Sequence, residues 1–408
     1  ADVRGLHIHG QTPLLDLHAW LAAGREGDRE IGLADRIRSI NLDVEAFYAI
    51  GQKFTDHRIE VNRGGQGWRV QISGEEADGL VSVPYDFSSQ RAMTLEMDRL
   101  ILPGDDESPT DENAKNFLDP RSLPGISIRA AEFGIGARRL GQLEVDFGKT
   151  DIGLEALNLK STDPTYAITG TAGWVIDTKT ASGQRTYFNA ELKSTDTKET
   201  FARLDYESGI IGAEMLVDFE VQWDGGPRKD FMELLKGNVA VRLGEGRLAD
   251  VEPGAGRVFG LMSFTALPRR LALDFRDVFD SGFRFDEITG NFRLKDGNAF
   301  TCDLTVAGTA ADVGIVGRTG LVAGDYDQSA VVSANVGNTL PVVGGILGGP
   351  QVAAALFVFS RIFKKPLQDV GQAYYAVEGS WDDPAIDRAD SQRFVDASSL
   401  AKCFPDSE

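Results

Sequence analysis

The sequence predicts a mainly β protein: a long curled antiparallel sheet whose apolar face forms a groove, with a few short helices and a C-terminal apolar helical hairpin. The first observation behind this prediction is the period-two alternation of apolar and polar residues, which recurs along most of the chain. The second is the number of such segments, well over a dozen. Strongly twisted open sheets rarely exceed about ten strands without curling or splitting, so this number favours a curled sheet.

The alternation is clearest in residues 213–223, where apolar residues occupy the odd positions and mostly polar residues the even ones. Such a strand has one dry face and one largely wet face. Residues 239–243 and 271–275 repeat the pattern. The residues predicted to line the groove are Met215, Val217, Phe219, Val221, Trp223, Val239, Val241, Leu243, Leu271, Leu273 and Phe275.

Local signals predict the other elements. Apolar residues two apart indicate N-terminal strands around residues 42–44, 59–61, 68–72, 93–97 and 126–128. The apolar spacing of residues 13–21 is typical of a short amphipathic helix, and residues 227–236 predict another. Asp296-Gly297 is a strong signal for a hairpin turn.

A segment without charged residues runs from Gln328 to Ser360, although 25% of the chain is charged. Within residues 340–363, paired glycines and Pro350 favour two short helices over one straight membrane-spanning helix. Two interpretations stay open: a buried hairpin that caps a β core, and a tip that contacts a membrane. The residues predicted to contact the membrane are Leu347, Val352, Leu356, Phe357, Phe359 and Phe363.

The composition restricts the partners. A formal net charge of -20 opposes phosphate backbones and anionic lipid surfaces, so we expect no nucleic-acid partner, and lipid would have to bind through apolar contacts. Cys302 and Cys403 form no CxxC motif, and give no support for a disulfide scaffold, structural zinc or a particular redox compartment. The first four residues do not resemble a signal peptide, which predicts a soluble protein or an excised piece.

No set of residues predicts catalysis. His7 and His9 have a spacing that can ligate a metal, but no Cys or Glu cluster accompanies them, so solvent-facing histidines are the preferred interpretation. Residues 244–249 match a dinucleotide fingerprint, yet no helix follows, which favours a turn. The sequence holds no GxSxG, HExxH or P-loop, and no acidic pair stands out. We therefore expect that the protein is not an enzyme and that it binds no metal or cofactor.

Several motifs carry a family resemblance. They are PGAGRVFGL at 253–261, LPRRLALDFRDVF at 267–279, GRTGL at 317–321, DYDQ at 325–328 and GSWDDP at 379–384. These segments resemble the C-terminal part of a member of the AsmA-like family of Gram-negative bacteria. The resemblance covers most of the chain and is sharp from about residue 239 onward; Gly67-Trp68 and Gly173-Trp174 match more weakly.

The resemblance implies a periplasmic β-groove, part of a protein anchored in the inner membrane and reaching the outer membrane. It implies transport of phospholipid toward the outer membrane, with the outer-membrane bilayer and other envelope proteins as partners. Arg269, Arg270, Asp274 and Asp277 are interpreted as structural ion pairs at the end of the groove.

We expect a passive conduit. The main alternative is a structural or adaptor β-protein of the cell envelope with a packed core, and an acidic-pair enzyme acting on envelope glycans is the other. The predicted divisions are residues 1–104 for N-terminal strands and a short helix, 105–124 for a loop, 125–338 for the main β-groove, 339–372 for the apolar helical segment, and 373–408 for a closing strand and tail.

Overall fold

The computed structural model describes residues 5–16, 36–49, 52–87, 89, 91–103, 119–206, 209–212, 214–228, 230–248, 283–309, 311–334 and 372–397. The chain divides into two compact units, one of Ala1–Asn189 with Gln222–Phe231 and one of Ala190–Val221 with Met232–Glu408. The described strands, 22 in all, belong to one sheet. The mainly β fold class is therefore confirmed.

Eleven strands lie wholly within the first unit. They are β1 (Leu6–Thr12), β2 (Leu15–Asp16), β3 (Ile37–Ala49), β4 (Gln52–Arg63), β5 (Gly67–Ser73), β6 (Ala77–Pro84), β7 (Met93–Leu102), β8 (Ile126–Ile135), β9 (Arg138–Lys149), β10 (Gly153–Thr162) and β11 (Tyr166–Ile176). A short 3-10 turn, Pro120–Ser122, precedes β8.

Consecutive strands of this unit pair mostly as antiparallel neighbours, from β3 to β7 and from β8 to β11. The exceptions to the predicted antiparallel arrangement are the parallel pairs β1–β3, β2–β3 and β7–β8. A parallel pair needs a crossover of about a dozen or more residues. The connection between Leu102 and Ile126 is long enough for β8 to begin beside Met93, the first residue of β7.

The helix predicted for residues 13–21 is contradicted in its described part. Leu15–Asp16 is extended and pairs in parallel with Phe47 and Tyr48 of β3. Pairing with a neighbouring strand overrides a weak local helical pattern, because it satisfies backbone groups and covers apolar side chains. Residues 17–21 lie outside the described residues.

The remaining strands are β12 (Gln184–Ser194), β13 (Ile210–Ile211), β14 (Met215–Asp224), β15 (Lys236–Leu243), β16 (Gly246–Leu248), β17 (Phe283–Lys295), β18 (Asn298–Gly308), β19 (Ala311–Gly320), β20 (Asp325–Ala334), β21 (Gln372–Ser380) and β22 (Pro384–Ala389). The described helices are α1 (Thr197–Arg203), α2 (Phe231–Leu234) and α3 (Ser391–Ala397). The helix predicted in residues 227–236 is observed over four residues as α2. The turn predicted in residues 244–249 is not observed: residues 244–245 form a bend, and the strands on either side of it, β15 and β16, pair with the same neighbour, β17.

The turn between β17 and β18 confirms the Asp-Gly prediction. Asp296 and Gly297 have φ angles of 48° and 71°, the left-handed values that a tight two-residue hairpin requires. The side-chain amide of Asn298 also donates to the Asp296 carbonyl oxygen, at 2.7 Å.

The strands β18 to β21 form a densely packed core in the second unit. Leu304, Ile315, Ala330 and Tyr375 lie opposite one another on successive strands, and each is at most 2% exposed. Helix α3 packs on β19 and β20, and its Phe394 is 1% exposed. Apolar side chains on this face are thus closed off from solvent.

Cys302 on β18 is disulfide-bonded, which corrects the interpretation that the two cysteines give no support for a disulfide. Cys302 lies at a bulge of β18, because the register of the β18–β19 pair shifts between Thr301 and Leu304. Cys403, the only other cysteine in the sequence, lies outside the described residues. We expect Cys403 to be the partner.

Reduction of this disulfide should destabilise the chain. A bond between Cys302 and Cys403 closes a loop of roughly 100 residues, and the chain-entropy model then gives a contribution of about 5 kcal/mol. Denaturant unfolding with and without a reducing agent measures the difference. When the chain is denatured without reduction and treated with a thiol-alkylating reagent, mass spectrometry should detect no alkylated cysteine. Alkylation of Cys302 without reduction would contradict the disulfide.

The apolar segment of residues 340–363 and its six predicted membrane-contacting residues lie outside the described residues. Both interpretations of that segment therefore stay predictions. In the part of the chain that the structure describes, no helix has the length and hydropathy needed to cross a membrane.

Candidate functional site

Eight aliphatic residues lie directly opposite one another on the successive strands β3 to β10. They are Ile40, Val61, Val70, Val81, Leu95, Ile128, Val145 and Leu159. Side chains of directly paired residues point to the same face of a sheet. We call this set the apolar row and the face that carries it the inner face. With strands about 4.8 Å apart, the row is about 34 Å long.

Most of the apolar row is accessible. Ile40 and Val145 are 5% and 2% exposed, whereas the other six members are only partly buried. Those six pack against a buried cluster on the same face that includes Ile72, Met97 and Leu143. A continuous apolar surface that remains accessible is a typical binding surface for an apolar ligand or partner.

The opposite face of the same strands is mostly polar. On each strand, a residue adjacent in sequence to the member of the apolar row points to this opposite face. These residues also pair with one another across the strands, and they are Asn41, Glu60, Gln71, Leu80, Glu96, Arg129, Glu144 and Lys160. We call this set the outer row. Next to it, Arg129 forms an ion pair with Asp146 at 2.6 Å. Hydrogen bonds from Arg129 and Ser127 lower the pKa of Asp146, so this face is charged at neutral pH.

The inner face differs between its two ends. At the end where β4 and β9 finish, it carries two cationic residues, Arg63 and Lys149. The Lys149 ammonium donates to the Phe87 carbonyl oxygen at 3.1 Å. At the opposite end, the rings of Phe47 and Phe54 stack with centroids 4.7 Å apart. The inner face is therefore cationic at one end and aromatic at the other.

Arg63 lies against two aromatic rings. Its guanidinium carbon is 5.5 Å from the centroid of the Trp68 ring and 5.1 Å from that of Tyr85. The two rings are edge-to-face, 5.6 Å apart, and the Tyr85 hydroxyl donates to the Gly64 carbonyl oxygen at 2.7 Å. We call Arg63, Trp68 and Tyr85 the arginine–aromatic cluster.

The aromatic end also contains a buried histidine. His57 is 2% exposed and lies edge-on to Phe47, with ring centroids 5.1 Å apart. Its Nε2 accepts a hydrogen bond from the Ala77 amide at 3.1 Å. Its Nδ1 has no hydrogen-bond partner among the described residues. This end therefore suits apolar contacts rather than a charged group.

The predicted groove-lining residues that the structure describes are mostly more buried than the apolar row. Their alternation is observed on β14, where Met215, Val217 and Val221 are at most 8% exposed, while Asp218 and Glu220 are exposed. On β15, Val239, Val241 and Leu243 are at most 5% exposed. Phe219 and Trp223 are partly exposed. Contact of these residues with lipid stays a prediction.

Of the other residues singled out from the sequence, most lie outside the described residues. Leu271, Leu273 and Phe275 lie outside the described residues, as do the four residues interpreted as ion pairs, Arg269, Arg270, Asp274 and Asp277. The Nδ1 atom of His7 lies 2.7 Å from the Ser39 hydroxyl. Across the described ranges, no group of three or more His, Cys, Asp or Glu side chains has an arrangement that could hold a metal.

The sequence predicted most strands of the apolar row, but it missed β6 and did not show the row itself. Apolar residues at positions such as Val61, Val70 and Leu95 were part of the recognised period-two segments. Their alignment depends on the register of eight strands, which a single sequence does not display. The arginine–aromatic cluster was missed for the same reason, because it combines three separate strand ends.

Fold and site together define the class: a β-sheet protein with an accessible, continuous aliphatic surface across its strands. The chain belongs to the YhdP family, since the family model described as "YhdP protein" matches residues 1–386. It is similar to the intermembrane phospholipid transporter YhdP of Escherichia coli (strain K12), with 29% identity over 373 residues. The match covers 90% of this chain and 29% of that transporter. No solved structure gives a significant match.

Proposed function

We propose that this chain carries phospholipid between the membranes of the cell envelope, with acyl chains lying on the apolar row. The row is the observation that carries the proposal, because it joins eight strands into one accessible aliphatic surface. Each methylene kept from water contributes about 0.8 kcal/mol. A surface about 34 Å long accommodates an acyl chain from one leaflet, which spans about 15 Å, half of the bilayer core.

The proposed mechanism is passive. The apolar row offers equivalent aliphatic positions at each strand, so a lipid can move from one to the next without a chemical step. We propose no catalytic residue and no cofactor. Direction toward the outer membrane is part of the proposal, and the relative named as an intermembrane phospholipid transporter supports the substrate class.

The proposed location is the periplasm, within a longer protein anchored in the inner membrane and reaching the outer membrane. The chain spans less than a third of the length of the relative from Escherichia coli, so these features concern the whole protein. The disulfide at Cys302 supports an oxidising compartment, where such bonds form and persist. The membrane contact predicted for residues 340–363 belongs to the same proposal.

A second candidate is a structural or adaptor β-protein with a packed core. The full burial of Leu304, Ile315 and Ala330 favours it for the second unit. The partial exposure of the apolar row favours lipid binding for the first.

Photocrosslinking tests the lipid proposal. A photoreactive side chain at Val70 should capture phospholipid from membranes, because Val70 lies in the apolar row. The matched control is Gln71, the next residue of the same strand, which lies in the outer row. Mass spectrometry identifies the adducts. Equal capture at the two positions, or none at either, would reject the apolar row as the lipid path.

A further inference from the structure

We propose that the two acyl chains of one phospholipid lie side by side on two parallel rows of the inner face, so that this surface selects lipids with two chains over lipids with one. The inference rests on the proposed function. It adds a second row of residues beside the apolar row and a preferred class of lipid.

The second row runs beside the apolar row on five of its strands, β5 to β9. Each member is two residues away from a member of the apolar row on the same strand, so both side chains point to the inner face. Because Ser82 pairs with Thr94, Val83 lies beside Met93, and the other neighbours are paired directly. The members of the second row are Trp68, Val83, Met93, Ile126 and Phe147.

The second row is accessible and long enough for one acyl chain. All five members are only partly buried. Across four strand spacings the row is about 19 Å long. An acyl chain spans about 15 Å of one leaflet, half of the bilayer core.

The accessible strip of the inner face is two rows wide on these strands. Beyond the apolar row, the next inner-face residues of β4 to β9 are closed off from solvent, with at most 9% of each side exposed among those that carry a side chain beyond glycine. They are Ile59, Ile72, Met97, Ala130 and Leu143. Beyond the second row the strands end, since β7 begins at Met93 and β8 at Ile126.

The spacing of the two rows suits two hydrocarbon chains. Residues two apart on a strand are separated by about 6.6 Å. Carbon atoms of neighbouring hydrocarbon chains pack at about 4 Å, so each row has room for a chain of its own. The acyl chains of a phospholipid are esterified to adjacent glycerol carbons and therefore start side by side. A lipid with one chain covers one row and leaves the other in water.

The test measures how tightly phosphatidylethanolamine and lysophosphatidylethanolamine with the same acyl chain bind to the purified full chain. A second chain raises the affinity for any apolar surface, so the ratio of the two affinities is compared between variant and parent. Met93→Asp should lower this ratio about tenfold or more, because an acyl chain on the second row would strip water from the carboxylate. The one-chain lipid should bind this variant like the parent, since the apolar row is intact.

The matched control is Thr94→Asp. Thr94 follows Met93 on β7, is also partly buried, and pairs with Ser127 on the opposite face of the sheet. Its replacement should leave both affinities within about twofold of the parent, as surface substitutions usually do.

The outcomes separate this inference from the proposed function. A parent-like ratio in a folded Met93→Asp chain would indicate that both acyl chains lie along the apolar row, so the second row would be wrong while lipid binding stands. An equal loss of affinity for both lipids would also overturn the selection of two chains. If the parent binds neither lipid, the proposed function and this inference both fail.

A second variant keeps the test valid if Met93→Asp folds poorly, as judged by circular dichroism and melting. Met93→Gln keeps an unbranched side chain of similar length and adds no charge. It should lower the affinity ratio about threefold, because its amide must lose water beneath an acyl chain. A folded Met93→Gln chain with the ratio of the parent would contradict the second row.

Discussion

Replacing Val81 with aspartate should reduce phospholipid transfer between vesicles at least tenfold. Val81 is a partly exposed member of the apolar row, between Val70 and Leu95 on the neighbouring strands. In the free protein the carboxylate can stay hydrated, so the fold should survive. When an acyl chain covers the site, the charge loses its water at a cost of several kcal/mol. Transfer should therefore fail at this strand.

The matched control for this prediction is Leu80→Asp. Leu80 precedes Val81 on β6, is also partly buried, and lies in the outer row. Its replacement should leave transfer within about twofold of the parent, as surface substitutions usually change little. Equal loss of transfer in the two variants, with both chains folded by circular dichroism, would show that lipid does not follow the inner face.

Leu304→Ala should cost about 2 to 5 kcal/mol of unfolding free energy, the largest loss we expect from a single truncation here. Leu304 is 0% exposed, and it lies opposite Ile315, which is also 0% exposed. The truncation leaves a cavity that a well-packed core cannot fill. Urea unfolding, followed by a probe in each unit, measures the loss.

The matched comparison is Val70→Ala on the apolar row. Val70 is already partly exposed, so the truncation should cost only about 1 kcal/mol. The contrast tests whether one apolar face is a closed core and the other an open surface. A loss at Val70 as large as that at Leu304 would indicate that the apolar row is packed in solution.

Features that depend on a few neighbouring residues, such as turns and strand alternation, could be predicted from the sequence. Features that depend on how strands align with one another could not. The Asp296-Gly297 turn needs only two residues with positive φ, so its prediction was secure. The alternation on β14 correctly separated Val217 from Asp218. It could not show whether the dry face is enclosed or accessible, because exposure depends on what packs against a strand.

The candidate site depends on distant pairing. Leu95 of β7 lies opposite Ile128 of β8 only because the chain crosses back and pairs in parallel, which no local pattern indicates. Arg63 meets Tyr85 because two hairpins bring separate strand ends together. The sequence therefore indicated most of these strands and the family, whereas the lining residues predicted from it lie farther along the chain.

Most strands of the apolar row are joined by hairpins and pair with their immediate neighbours in the chain. Such an arrangement is modular, as in repeat proteins, where each element depends on the next one along. Insertion or loss of one hairpin would change the length of the row by about 10 Å, and its apolar residues would stay on one face of the sheet. The length of this aliphatic surface can therefore change in steps of two strands without redesign of the residues that form it.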